Sequence, residues 1–292
     1  MLKGRGLTRL VHKHAQFLEM LSGFDAAVPA GSMNLHIDGN GFAELELDNV
    51  DKRGSMSATM MLQLAAHVDE LTLDEGNITG LALRSRGKIF CSGLDLNLAK
   101  GLISTPERGG MMYDFMTDAL NRIKQSPMVS VTVLQGSAIG GGLELATCTD
   151  YRVVVQRESE AKEGKGPYIQ SVHAKIGAAP GWGGLQRSVD IMGGKNTLSL
   201  YGTSARVSPE EALDLGLVDH IVSLSDEELQ SGDFDALTSG IGRRFLDPFL
   251  QQPYPLSVGA IKAAIAAHDE EVEGAVFRDR WFGEDMKGAL GK

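Results

Sequence analysis

The sequence predicts an α/β fold, an α/β core followed by a helical C-terminal part. Three observations carry this. Short apolar runs at 78–83, 129–134 and 151–155 read as buried strands without alternation, as in a parallel sheet. Helical patterns fall between them, which implies βαβ units. After Pro180 the apolar residues recur mostly at helical spacing.

Taken in order, the elements begin with a basic stretch. Residues 1–17 hold Lys3, Arg5, Arg9 and Lys13 but no acid, and Leu2, Leu7, Leu10, Val11 and Phe17 can share one helical face. That composition suits a mitochondrial transit peptide, a short basic helix or a frayed tail. Runs at 34–37 and 43–47 flank Asp38-Gly39-Asn40-Gly41 and predict a β-hairpin. Met56, Met60, Leu64, Ala65, Val68 and Leu71 have helical spacing, with Ser55 as the expected cap. Thr105-Pro106 opens a helix that runs to about residue 124. The polar stretch 158–167 reads as an exposed loop. Ser208-Pro209-Glu210-Glu211 is a capping box and Gly216 a stop, and further helices are expected over 257–267 and on towards 286.

Composition narrows the function. A net charge of -10 argues against general nucleic-acid binding, though a local donor cluster can still hold a phosphate. No apolar run approaches the roughly 20 residues of a membrane span. Cys91 and Cys148 have neither metal-ligand nor disulfide spacing and are expected to be buried free thiols, and no metal site is expected.

Two glycine-bearing segments point to chemistry. Phe90-Cys91-Ser92-Gly93-Leu94-Asp95-Leu96 joins a strand to a short helix, and Gly93 permits a tight turn with outward-facing amides. Gly136-Ser137-Ala138-Ile139-Gly140-Gly141-Gly142-Leu143-Glu144-Leu145-Ala146 does the same. Its glycines remove side chains where a ligand must approach the backbone. Two such turns side by side can supply converging N–H donors for a developing oxyanion. Either segment alone also suits simple tight packing. Neither is a dinucleotide fingerprint or a P-loop.

Two further segments make a recognisable set. These are Ile176-Gly177-Ala178-Ala179-Pro180-Gly181-Trp182-Gly183-Gly184-Leu185-Gln186-Arg187 and the stretch from Tyr201-Gly202 to Gly216-Leu217-Val218-Asp219. With the first two, in this order over about 33–287, the chain resembles the crotonase (enoyl-CoA hydratase/isomerase) superfamily. The resemblance implies a spiral of repeated ββα units over 31–205, a helical oligomerisation region over 206–292, and an N-terminal extension, 1–30, outside it. It implies an acyl-CoA substrate, no separate cofactor and a homotrimer or homohexamer.

Carried over residue by residue, the resemblance makes the Leu94 and Gly141 amides the oxyanion-hole donors, lined by Cys91, Gly93, Asp95, Gly140, Trp182 and Gly183. Glu144 matches the first of two hydratase glutamates. Glutamate is also favoured in the first turn of any helix. The second glutamate falls on His173, expected on a strand, where a structural histidine would be ordinary. That departure, with Ser126-Pro127-Met128-Val129, Met60-Met61-Leu62-Gln63-Leu64 and Pro180-Gly181-Trp182-Gly183-Gly184, resembles the ethylmalonyl-CoA decarboxylases. The implied reaction is loss of CO₂ from an alkylmalonyl thioester, with His173 binding the departing carboxylate or delivering a proton. Lys52 and Arg53 sit where the superfamily often places a base for the CoA phosphates, although a solvated helix-start pair reads the same way. The alternatives are a hydratase or isomerase using Glu144, and a non-catalytic or RNA-binding member of the fold. A cytoplasmic protein is expected, or a mitochondrial one if the basic start is a transit peptide.

Overall fold

In the computed structural model the described residues are 8–24, 31–73, 77–267, 269–281 and 283–291. The chain begins with α1 (Leu10–Lys13) and α2 (Ala15–Ser22), then the hairpin β1 (Ser32–Ile37) and β2 (Phe42–Asp48). α3 (Ala58–Leu73), β3 (Gly80–Ser85), β4 (Ile89–Cys91), α4 (Leu96–Gly101) and α5 (Pro106–Gln125) follow. Next come β5 (Val129–Leu134), β6 (Ser137–Ile139), α6 (Gly141–Ala146), β7 (Tyr151–Arg157), α7 (Glu158–Lys162) and β8 (Ile169–Gln170). The rest is α8 (Gly184–Thr203), β9 (Arg206–Val207), α9 (Pro209–Asp214), β10 (His220–Leu224), α10 (Asp226–Ser231), α11 (Phe234–Ser239), α12 (Ile241–Leu250), α13 (Pro255–Ala267), α14 (Glu270–Arg280) and α15 (Glu284–Leu290).

The strands form two sheets. The larger has the order β1-β2-β3-β5-β7-β10 and the smaller β4-β6-β8-β9. From β3 onward the chain gives one strand to the large sheet and the next to the small one, three times over: β3–β4, β5–β6, β7–β8. That alternation is the spiral of ββα turns. The large sheet is parallel except for the hairpin, and β4, β6 and β8 are mutually parallel.

β5 explains why its run lacks alternation. Val129, Val131 and Val133 pack with Val153, Val155, Ile241 and Leu246 on the α12 side. Ser130, Thr132 and Leu134 face the other way and are equally buried. The polar pair is satisfied there, Ser130 by Asp150 and Thr132 by Thr149 at 2.8 Å each.

Local signals hold with some shifts. The hairpin turn is tied by Asp38, which accepts from the Asn40 and Phe42 amides. Thr105 caps α5, and the Ser208–Glu211 capping box is present. Ser57 rather than Ser55 offers the hydroxyl at the start of α3, accepting from Met60 N at 3.2 Å, because the chain makes an isolated bridge at Met56 first. The first half of the expected loop 158–167 is α7.

The basic start folds onto the core. Residues 1–7 lie outside the described residues, but Leu10, Phe17 and Leu21 are fully buried against the main apolar cluster. Asp69 of α3 accepts the Leu10 and Val11 amides, and Asp118 of α5 pairs with Lys13 and His14. At the other end, Lys262 pins α13 to the start of β5 through Asp150, at 2.8 Å, and the Met128 carbonyl. Ile261, Ile265, Phe277, Trp281 and Leu290 stay exposed along the α13–α15 segment.

Candidate active site

The small sheet assembles the site. β4, β6 and β8 are adjacent and parallel, so their C-terminal ends share one edge. Each ends in a segment the sequence marks: 92–95, 140–144 and 171–173.

At the first end, Gly93 adopts φ +94°, open to glycine. Met56 N donates to Gly93 O at 2.8 Å, and Asp95 N to Met56 O at 3.0 Å. In that parallel bridge the Leu94 N–H lies on the opposite edge from Met56. There the backbones are in contact: a Cβ on Gly93 would sit 3.1 Å from both Gly141 N and Ile139 O. Asp95 caps α4, its Oδ1 accepting from Asn97 N and Leu98 N. Cys91 lies wholly beneath the turn, and burial pushes its thiol up to about 12, against a Gly93 N–H donated to its sulfur.

At the second end, Gly140 has φ +57° and ψ -120°, and its N–H donates to Gln170 O at 2.8 Å. Gly141 is the first residue of α6, so its N–H has no acceptor within the helix. The helix packs so closely that a Cβ on Gly142 would lie 2.1 Å from the Cys91 carbonyl oxygen, and one on Gly141 2.7 Å from the Trp182 ring. A side chain at 142 would push the two turns apart, and one at 141 would displace the Trp182 ring.

At the third end the chain leaves the sheet after Gln170. His173 is therefore not a strand residue; it opens a single 3-10 turn over Ala174–Ile176. Its Nδ1 lies 3.0 Å from Ser171 Oγ, and its Nε2 3.3 Å from Glu144 Oε1. Val172, beside it, packs on Gly140.

Glu144 is the most constrained side chain of the group, 1 % exposed. Its Oε1 accepts from Gly181 N at 3.1 Å, and its Oε2 from Trp182 N at 2.8 Å and Gly184 N at 2.9 Å. Three backbone donors face its two oxygens, a set that an acceptor-only carboxylate satisfies. The Pro180–Gly184 segment is thus folded around the Glu144 carboxylate. Gly184 must lack a Cβ, which would fall 2.4 Å from Glu144 Cγ, and Gly183 turns at φ +74°. Arg187 closes the loop from α8. Its guanidinium donates to the Trp182 and Glu144 carbonyls, to Thr147 and to Asn121, and burial pulls it below its ordinary value.

The expected site residues therefore divide. Leu94, Gly93, Gly140, Gly141, Glu144, His173, Trp182 and Gly183 come together. Cys91 and Asp95 support the first turn through a buried thiol and a helix cap. Lys52 and Arg53 are exposed at its rim, where their carbonyls accept from Ser92, and Arg53 takes the left-handed conformation at φ +57°. Sequence reasoning gave no role to Ser171, Arg187 or Tyr201. The Tyr201 ring lies nearly parallel to His173, 17° apart, and its hydroxyl, raised by burial, pairs with Ser188. Arg187 and Tyr201 stood in recognised motifs, whereas Ser171 carried no signal of its own. Among the described residues no group of three or more His, Cys, Asp or Glu is arranged to hold a metal.

This architecture is the crotonase fold, and the chain belongs to the enoyl-CoA hydratase/isomerase family, whose model matches residues 38–238. It is similar to the ethylmalonyl-CoA decarboxylase of Bos taurus, 36 % identical over 254 residues, covering 86 % of this chain and 76 % of that one. The ethylmalonyl-CoA decarboxylase of Xenopus tropicalis is 32 % identical over 251 residues, covering 86 % and 77 %. In fold it is similar to the crystal structure of an enoyl-CoA hydratase from Bacillus anthracis, with a TM-score of 0.72 at 20 % identity, over 89 % of this chain and 94 % of that one. No helix among the described residues is long and apolar enough to cross a membrane.

Proposed function

We propose that the chain is a lyase that decarboxylates an alkylmalonyl-CoA thioester, ethylmalonyl-CoA or methylmalonyl-CoA. One observation carries the choice over hydration: the acid–base pair across the second and third strand ends is a carboxylate and an imidazole, Glu144 and His173, with the carboxylate already engaged by three backbone amides. Hydration in this family uses two carboxylates on one water, and here one of them is absent. The two ethylmalonyl-CoA decarboxylases named above, 32 % and 36 % identical, support the same reading.

In the proposed reaction the thioester oxygen accepts from the Leu94 and Gly141 N–H groups. The Cα–carboxylate bond breaks and CO₂ leaves. The electron pair moves into the Cα–carbonyl bond, and the carbonyl pair moves onto oxygen. The enolate so formed binds the two donors more strongly than the thioester does, which is how the barrier falls. His173 then gives a proton from Nε2 to Cα, and solvent replaces it, so one proton is consumed per CO₂ released. Glu144 holds the 181–184 loop and the imidazole in place. No separate cofactor enters this scheme, because the CoA belongs to the substrate. Lys52 and Arg53 lie at the rim for the CoA phosphates. The exposed apolar residues of α13–α15 would be covered in a homotrimer or homohexamer, and light scattering that gives only monomer at micromolar concentration would remove that part.

The test is to incubate the protein separately with ethylmalonyl-CoA, methylmalonyl-CoA and crotonyl-CoA and to follow the products by mass. The expected result is loss of CO₂ from a malonyl ester with little hydration of crotonyl-CoA. His173→Ala should lower decarboxylation by roughly 10²–10⁴-fold. Rapid hydration of crotonyl-CoA with ethylmalonyl-CoA untouched would overturn the assignment.

A further inference from the structure

Ser171 is fully buried, yet its hydroxyl is spent on a single side chain, the imidazole two residues on. The backbone between them is fixed. Ile176 N and Ala178 N both donate to the His173 carbonyl, at 3.1 and 2.9 Å. The ring itself is fenced by Tyr201 on one face. Its two nitrogens have unlike partners. Nδ1 meets a hydroxyl at 3.0 Å. Nε2 meets Glu144 Oε1 at 3.3 Å, longer than the roughly 2.7–2.9 Å of a tight charge-assisted bond, and that oxygen also accepts from Gly181.

We infer that Ser171 is the positioning residue of His173, keeping Nδ1 paired in every charge state so that Nε2 is the nitrogen that exchanges the proton. A hydroxyl can donate or accept. When the ring is neutral with its proton on Nδ1, that N–H donates to Ser171 Oγ and Nε2 is free to take up a proton. When the ring carries both protons, Nδ1–H donates to Ser171 Oγ. A carboxylate in place of the hydroxyl would add a charge to the site. The looser Nε2 contact is the one a substrate can replace. In the transfer the Nε2–H bond breaks, its electron pair stays on Nε2 and the proton goes to Cα, while Nδ1–H remains on Oγ. Of the ionisable side chains, Glu144 from α6 meets Nε2 and Tyr201 from α8 lies beside the ring, while the partner at Nδ1 is Ser171. The catalytic half of this inference rests on His173 being the proton donor; the tautomer half does not.

The experiment uses the full chain with ¹⁵N-labelled histidine, read by long-range ¹H–¹⁵N correlation, with the His173→Gln spectrum assigning the His173 signals. The wild-type neutral ring should be one tautomer, protonated on Nδ1. Ser171→Ala should give a tautomer mixture and lower kcat for ethylmalonyl-CoA about tenfold or more with KM nearly unchanged. Ser171→Thr, which keeps the hydroxyl, should restore both. Ser171→Cys, of similar size but a weak acceptor, should resemble the alanine variant, which separates the hydroxyl from simple filling of space. A single unchanged tautomer with unchanged kcat in Ser171→Ala and Ser171→Cys would overturn the inference. A tautomer change in a protein that decarboxylates nothing would uphold the positioning role and remove the reaction instead.

Discussion

Replacing Glu144 with alanine should loosen the 181–184 loop as well as impair the reaction. The carboxylate accepts from the amides of Gly181, Trp182 and Gly184 at 3.1, 2.8 and 2.9 Å, and these are short bonds at a position almost without solvent. Alanine leaves three donors without that acceptor, at about 1–3 kcal/mol for each one buried and unpaired. The vacated volume is polar and can admit water, which recovers part of the loss. The low end, about 3 kcal/mol in all, is the expected destabilisation. At about 2–4 °C per kcal/mol for a large domain, the midpoint should fall by about 6 °C or more. Glu144→Gln should recover only part of this, because its NH₂ must turn towards a cluster of donors. Thermal unfolding followed by circular dichroism gives the first number. Hydrogen exchange gives the location: the Gly181, Trp182 and Gly184 amides should be protected in the wild type and exchange in Glu144→Ala. An unchanged midpoint with full protection of those amides would refute the idea that the carboxylate organises the loop.

Three other outcomes are expected. Burial raises the Asp118 carboxyl, but hydrogen bonds from Lys13, His14 and Arg122 outweigh it and hold it down to about 2. A folded value below the unfolded one of about 3.9 means that this stabilisation is complete above that pH and is lost as pH falls towards about 2. Asp118→Asn should therefore destabilise the N-terminal helices at neutral pH and be nearly silent at about pH 2, as read by exchange at the Leu18 and Leu21 amides. Burial pushes the thiols of Cys91 and Cys148 up to about 12 and about 11, so neither should react with an alkylating agent until the chain unfolds, and rapid labelling of the folded protein would count against their placement. His173→Glu should gain measurable hydration of crotonyl-CoA, since a carboxylate at 173 would face Glu144 where the imidazole now does; no gain in a folded variant would mean that the pair alone does not decide the reaction.

Much of this was legible in the sequence, for reasons that differ along the chain. The large-sheet strands at 80–85, 129–134 and 151–157 announced themselves because both of their faces are buried. The small-sheet strands of two or three residues have no period to read, and only the glycines that follow two of them betrayed their ends. Glu144 and His173 were identified by resemblance, but what holds Glu144 is backbone N–H, which every non-proline residue carries and no pattern distinguishes. His173 was expected on a strand because Ile169–Gln170 begins one; the turn that follows leaves no mark. The basic start was ambiguous for a physical reason. The same apolar stripe serves a targeting helix and a packed one, and what fixes residues 10–22 are acids far away in sequence, Asp69 and Asp118.

The arrangement separates electrostatics from proton chemistry. In the proposed reaction Leu94 and Gly141 offer backbone amides at the ends of β4 and β6, so the Leu94 side chain can vary without changing the donors, provided the close packing of Gly93, Gly141 and Gly142 is kept. The end of β8 is where a side chain decides. In the proposed reaction a malonyl carboxylate must enter a site that already contains Glu144. A second carboxylate at 173 would meet it with like charge, and two such charges 4 Å apart cost about 4 kcal/mol at an effective dielectric constant near 20. An imidazole removes that repulsion and, when protonated, reverses it. In the proposed reaction, the imidazole that stands in place of a hydratase's second carboxylate would thus also make the site hospitable to a substrate bearing a carboxylate of its own.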